Sequence, residues 1–206
     1  NGNVSASGSL NNSMSSSQAN DNKTIWTGTF TPFAPREVEI NKLLLATTYT
    51  DLAGNNGFDN ETINFDVDTK PPEVDYFNMS DLTLRQNDNA TVELRFSEPV
   101  ISFSSDTDIT IPVIDRGPNQ GRASGTLSTM TSDDNRTWTG TFLPNFSFDN
   151  GTSCKTEDWT NRLVMSDNYT DIDNNTGTGE TGPNYMVDNV DPIENGSPTI
   201  TLDVAN

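Results

Sequence analysis

DNKTIWTGTF at residues 21–30 and DNRTWTGTF at residues 134–142 are nearly the same phrase, the second shorter by one residue. A near-match of this length with a tryptophan in each copy marks internal repetition, which bears on architecture before any single motif does. Within the first copy, Thr24, Ile25, Trp26, Thr27, Gly28, Thr29 and Phe30 alternate polar and apolar character. That period of two belongs to a half-buried strand, and the leading Asp-Asn pair is turn chemistry.

Aligning the two phrases brings others into register. ASGSL at 6–10 meets ASGTL at 123–127, YTDLAGNNG at 49–57 meets YTDIDNNTG at 169–177, and FDVDTKPP at 65–72 meets YMVDNVDP at 185–192. The offsets of 112 to 120 residues match the length of one immunoglobulin-like sandwich. Thr91, Val92, Glu93, Leu94, Arg95 and Phe96 alternate in the same way, and clusters of Asn, Asp, Gly and Pro separate such runs. No stretch carries a convincing 3.6-residue period; REVEINKLLLA at 36–46 comes nearest and reads as a loop followed by a strand. The expectation is an all-β chain of tandem immunoglobulin-like β-sandwiches.

Pro71, Pro72 and Pro192 fall where one repeat hands over to the next, since proline cannot donate into a sheet. Residues 72–191 read as a complete sandwich with opening strands near Glu73–Phe77 and Thr91–Phe96. Residues 1–71 read as an incomplete one, lacking counterparts of residues 73–115. Such a fragment leaves an apolar face and sheet edges open, a state that aggregates or recruits a strand. Residues 192–206 form a C-terminal extension in which Ile200, Leu202 and Val204 share one face of a strand. Folding back across its own second sandwich requires a span of roughly 40 Å, so the expected acceptor is the incomplete first domain of a neighbouring unit.

Of 206 residues only 31% are apolar, and 30 acidic against 11 basic residues give a net charge of −19 with no histidine. A nucleic acid or an anionic membrane surface would be repelled, whereas cations are natural counterparts. The lone Cys154 excludes an intramolecular disulfide framework and reads as an incidental residue near a loop. No apolar run is long enough to span a bilayer, and a chain starting at Asn1 is expected to be a mature or excerpted piece.

FSEPV at 96–100, SDTDIT at 105–110, GTL at 125–127, TWTGTF at 137–142, YTDLAGN at 49–55 and VDTKPP at 67–72 together resemble the bacterial immunoglobulin-like repeats of giant surface adhesins. The resemblance covers 72–191 fully and 6–70 in part. It implies a Greek-key β-sandwich, a rod of tandem domains at the cell surface or outside the cell, and linkers rigidified by calcium.

The acceptor pattern Asn-x-Ser/Thr departs from typical members of that family by its frequency. It occurs at Asn3, Asn11, Asn22, Asn60, Asn78, Asn89, Asn135, Asn145, Asn150, Asn168 and Asn174, and at Asn195, where the following Pro198 weakens the site. With 26 asparagines and 47 serines plus threonines, chance gives about six matches. Covalent N-linked glycans are therefore expected, although a turn-rich composition generates part of the excess. Such glycans would solubilise a thin-cored rod.

Candidate calcium ligands are Asp66, Asp68 and Asp75 at the first junction and Asp188, Asp191 and Glu194 at the second, with Asp51, Asp171 and Asp173 in the equivalent loops. Calcium takes oxygen ligands of this kind; a solvated acidic loop is the competing reading of each. DIDNN at 171–175 lacks the central Gly and terminal Glu of an EF-hand. Asp106 and Asp108, two apart on an expected strand, share a face without a pocket, and no nucleophile has a base nearby. Trp26 and Trp138 are expected to fill the sandwich core, and Trp159 to pack within its loop.

The chain thus reads as non-enzymatic: an extracellular subunit of a glycosylated fibre, joined head-to-tail to copies of itself by strand complementation. An extender segment of one giant adhesin is the alternative, and a carbohydrate- or protein-binding module the third class.

Overall fold

Alternating sequence becomes strand over nearly half of the residues placed. The computed structural model describes residues 8–10, 15–16, 24–85, 87–112, 124–145 and 157–188, with backbone only at 15, 16, 124 and 157–160. Strand dominates, with a single helical turn among the described residues. Packing divides the chain into two units, Asn1–Pro72 with Thr170–Thr176, and Glu73–Tyr169 with Gly177–Asn206. Asn3, Asn11, Asn22, Asn150, Cys154, Asp191, Glu194, Ile200, Leu202 and Val204 lie outside the described residues, as does the side chain of Trp159.

The first unit contains β1 (Gly8–Leu10), β2 (Ser15–Ser16), β3 (Trp26–Thr27), β4 (Phe30–Pro32), β5 (Glu37–Asn41), β6 (Leu44–Leu45), β7 (Asn60–Glu61) and β8 (Phe65–Asp68). They pair antiparallel as β1 with β4, β2 with β3, β5 with β8 and β6 with β7. The loop expected ahead of the strand in residues 36–46 is instead strand β5. Its ladder with β8 slips between Val38 and Asn41, and the buried Asn41 amide restores the bonding there by donating to the Val38 and Phe65 carbonyls at 2.9 and 3.2 Å. A side-chain amide can substitute for a missing ladder bond, which the alternation alone did not reveal.

The second unit contains β9 (Val74–Met79), β10 (Thr83–Leu84), β11 (Ala90–Phe96), α1 (Ser105–Asp108), β12 (Ile109–Thr110), β13 (Ser124–Leu127), β14 (Thr137–Asn145), β15 (Glu157–Asn161), β16 (Val164–Met165), β17 (Glu180–Thr181) and β18 (Tyr185–Asp188). Three sheets run in the orders β13-β14-β11-β9, β10-β18-β15 and β12-β16-β17. In β11, Ala90, Val92, Leu94 and Phe96 are buried while Thr91 is exposed and Glu93 and Arg95 half-buried, as period two requires. They meet Phe142, Tyr169 and Tyr185 in one apolar core. The register of β9 against β11 shifts between Arg95 and Phe96. This irregularity leaves Asp75 exposed, 3.6 Å from Arg95 Nε and from Arg136 Nη2.

Asp106 and Asp108 do not share a strand face, because Ser105–Asp108 is a helical turn. The buried Asp108 carboxylate accepts the Ser104 N–H at 2.8 Å, while Asp106 accepts the Thr129 hydroxyl at 3.0 Å. Short polar side chains that bond nearby backbone offer the chain an alternative to the ladder. The two acids are thereby committed to separate structural bonds.

Candidate functional site

The closing halves of the two repeats share one hydrogen-bonded frame. Gly8 stands opposite Pro32 and Leu10 opposite Phe30, as Gly125 stands opposite Pro144 and Leu127 opposite Phe142. A Cβ on Gly8 would lie 2.4 Å from the Phe30 ring, and one on Gly125 2.3 Å from the Phe142 ring. Both positions therefore require glycine for the same close approach. Tyr49 donates to the Phe58 carbonyl at 3.0 Å and Tyr169 to the Thr178 carbonyl at 2.9 Å, each ring lying on a glycine, Gly57 or Gly177. The ring pairs Phe30–Phe65 and Phe142–Tyr185 are 5.4 and 5.1 Å apart, both edge-to-face.

The loops after the tyrosines repeat as well. Asp51 Oδ1 accepts the N–H groups of Ala53 and Asn55, and Asp171 Oδ1 those of Asp173 and Asn175, all at 2.8–2.9 Å. The Asn55 side chain, followed by these backbone donors, holds the Asp51 carboxyl below its ordinary range, because each bond favours the ionised form.

What differs is the cover. Tyr169 is 0% exposed and Tyr49 47%; Met165 is 2% exposed and its counterpart Leu45 51%. In the second unit the Phe96 ring lies 4.7 Å from Tyr169, and the Phe103 ring 5.0 Å from Trp138. Both phenylalanines belong to residues 73–112, which precede the shared frame. Nothing equivalent covers the first unit among its described residues. Trp26, expected in the core, is 51% exposed, which corrects that expectation. Part of the face is still closed, since Val67 is buried.

Sheet edges tell the same story. β14 lies between β13 and β11, β18 between β15 and β10, and β16 between β17 and β12. Their counterparts β4, β8 and β6 each pair on one side only among the described residues. The candidate site is these three one-sided strands of the first unit together with the exposed Leu45 and Tyr49. Sequence reading anticipated open edges but not which strands carry them; superposing the two repeats strand by strand was the available signal.

Asp66 is exposed, Asp68 accepts the Lys70 N–H at 2.9 Å, and Asp75 is balanced by two arginines. Asp188 stands opposite Glu157 in the ladder. Asn60, Asn78, Asn89, Asn135, Asn145, Asn168 and Asn174, the described sequon asparagines, are all exposed. A groove of about 260 Å³ lined by Val74, Asp75, Tyr76, Phe77, Glu180 and Thr181 contains a phenol committed to Glu93. That bond, with smaller contributions from burial and the Glu93 charge, pushes the Tyr76 pKa up. No helix among the described residues is long and apolar enough to cross a membrane. Comparison of the chain with protein-family models, with curated proteins and with solved structures gives no match.

Proposed function

We propose that the chain is a non-enzymatic structural module of an extracellular fibre or stalk, built from tandem immunoglobulin-like Greek-key sandwiches. In this reading the first sandwich is completed by strands from outside residues 1–72. One observation carries it: the same frame holds a 0% exposed Tyr169 in one repeat and a 47% exposed Tyr49 in the other. An exposed aromatic residue beside strands that pair on one side only among the described residues is a liability in a free molecule and a joint in an assembly. Glycans on the exposed sequons belong to the same proposal, because bulky polar groups shield a rod that has little core.

Two sources of completing strands follow from the sequence, the extension at 192–206 of a neighbouring copy and the opening half of another repeat in a longer polypeptide. Three separated edges favour the second, since one extended segment ladders along one edge at a time. Electron microscopy and intact mass of native material test the reading. End-to-end beads in a chain or filament support it, and isolated globular particles oppose it. A filament that keeps its length after deletion of residues 192–206 assigns the completing strands to the longer polypeptide.

A further inference from the structure

The second unit contains its own template for what covers the first. We infer that the open face of the first repeat is a docking site for one kind of occupant, a polypeptide segment with the strand pattern of Val74–Ile111, delivered in the same polypeptide ahead of β1. This inference rests on the reading of the chain as a repeat module and names the segment that the reading requires.

The template fixes what the occupant must look like. Along β14, Leu94 stands opposite Trp138, Val92 opposite Gly140 and Ala90 opposite Phe142. Transferred to the matching positions, the occupant places a large aliphatic residue at Trp26, a branched one at Gly28 and a small one at Phe30. Along β18, Thr83 and Leu84 run parallel to Met186 and Val187, positions that correspond to Asp66 and Val67. Along β16, Ile109 meets Met165, the position of Leu45. An aromatic pair equivalent to Phe96 and Phe103, 5.4 Å apart, then closes over Tyr49 and Trp26.

Chain order selects the source. In the second repeat β9 to β12 precede β13, so the covering strands enter from the N-terminal side of the frame. Residues 73–112 of a second copy could reach the face only by leaving the core of their own unit, where Val92, Leu94 and Phe96 are fully buried. Exchange of that kind trades one open face for another. A strand from residues 192–206 supplies a single ladder and no counterpart to Phe103.

The test grafts the template. A chain in which a second copy of residues 73–122 replaces residues 1–5 reproduces the native junction ahead of Ala6. A control graft has Ser at the added counterparts of Val92, Leu94 and Phe96. Amide hydrogen exchange is followed at Phe30–Thr31, Leu44–Leu45 and Phe65–Asp68, with molar mass by light scattering. The expected result is slowing by at least about tenfold at all three strands in the graft and none in the control, with both chains monomeric. Equal exchange in graft and control overturns the inference. So does protection of these strands in the parent chain, whether as a monomer, which means the face is already closed, or only as a dimer, which means a second copy covers it. Failure of the graft while native material is still imaged as a beaded fibre removes the named occupant and leaves the structural reading standing.

Discussion

The Tyr169 ring lies 4.7 Å from the Phe96 ring, and its hydroxyl donates to the Thr178 carbonyl at 2.9 Å. Burial pushes the Tyr169 phenol pKa up, against the opposing effect of that bond. Tyr49 makes the same hydroxyl bond without such an aromatic cover. Tyr169→Ala should therefore destabilise the second unit by about 3–5 kcal/mol, and Tyr49→Ala the first by about 1 kcal/mol or less. Urea unfolding followed by unit-specific hydrogen exchange separates the two; equal costs would mean that Tyr49 is covered.

A Cβ on Gly177 would lie 2.2 Å from the Tyr169 ring, and one on Gly57 2.0 Å from the Tyr49 ring. The contacts are alike, yet only Tyr169 is locked in a core. Gly177→Ala should cost about 1–3 kcal/mol through overpacking, whereas Gly57→Ala should cost less because the exposed Tyr49 ring can swing away. Thermal unfolding of the two variants measures the difference.

Asp134, in the turn that leads the second tryptophan strand, accepts the N–H groups of Thr137 and Arg136 at 2.7 and 2.9 Å and the Ser132 hydroxyl at 2.9 Å. These bonds, the Thr137 one largest, lower its pKa to about 2 from 3.8. Because the folded pKa is depressed, the stabilisation is present above the unfolded value and fades as pH falls from about 4 through about 2. Asp134→Ala should lower the thermal midpoint at pH 7, and its difference from the parent should shrink across that window. A difference that stays constant with pH would assign the turn's contribution to something other than the ionised carboxylate.

Much of the fold was legible because burial follows alternation where a partner sheet exists, as at Val92, Leu94 and Phe96. The repeated glycines were legible as text, but their reason, a ring lying over each backbone, is a three-dimensional fact. Trp26 was misread because the alternation of β3 carries the strand but not how far its residues are buried, and Trp26 is 51% exposed. Asp106 and Asp108 were misread as strand neighbours because Ser104, Ser105 and Thr129 provide side-chain and backbone partners that period two does not register. The site was legible as an absence, a first repeat without its opening half, and only strand pairing located that absence at β4, β6 and β8.

Asn135 holds a left-handed φ of 54° between the Asp134 turn and β14. Asn135→Ala should cost about 1 kcal/mol, while Asn135→Gly should be close to neutral. The same asparagine is an exposed sequon, so both variants are compared in unglycosylated protein by denaturant midpoint. A glycine variant as damaged as the alanine one would show that the side chain, not the backbone angle, matters there.

The account turns on whether the face at β4, β6 and β8 is open in the isolated chain and closed in the working material. Amide hydrogen exchange of Leu44–Leu45 and Phe65–Asp68 in both samples measures this directly. The account predicts fast exchange in the isolated chain and at least about tenfold slower exchange in native assembled material. Equal exchange in the two would contradict it.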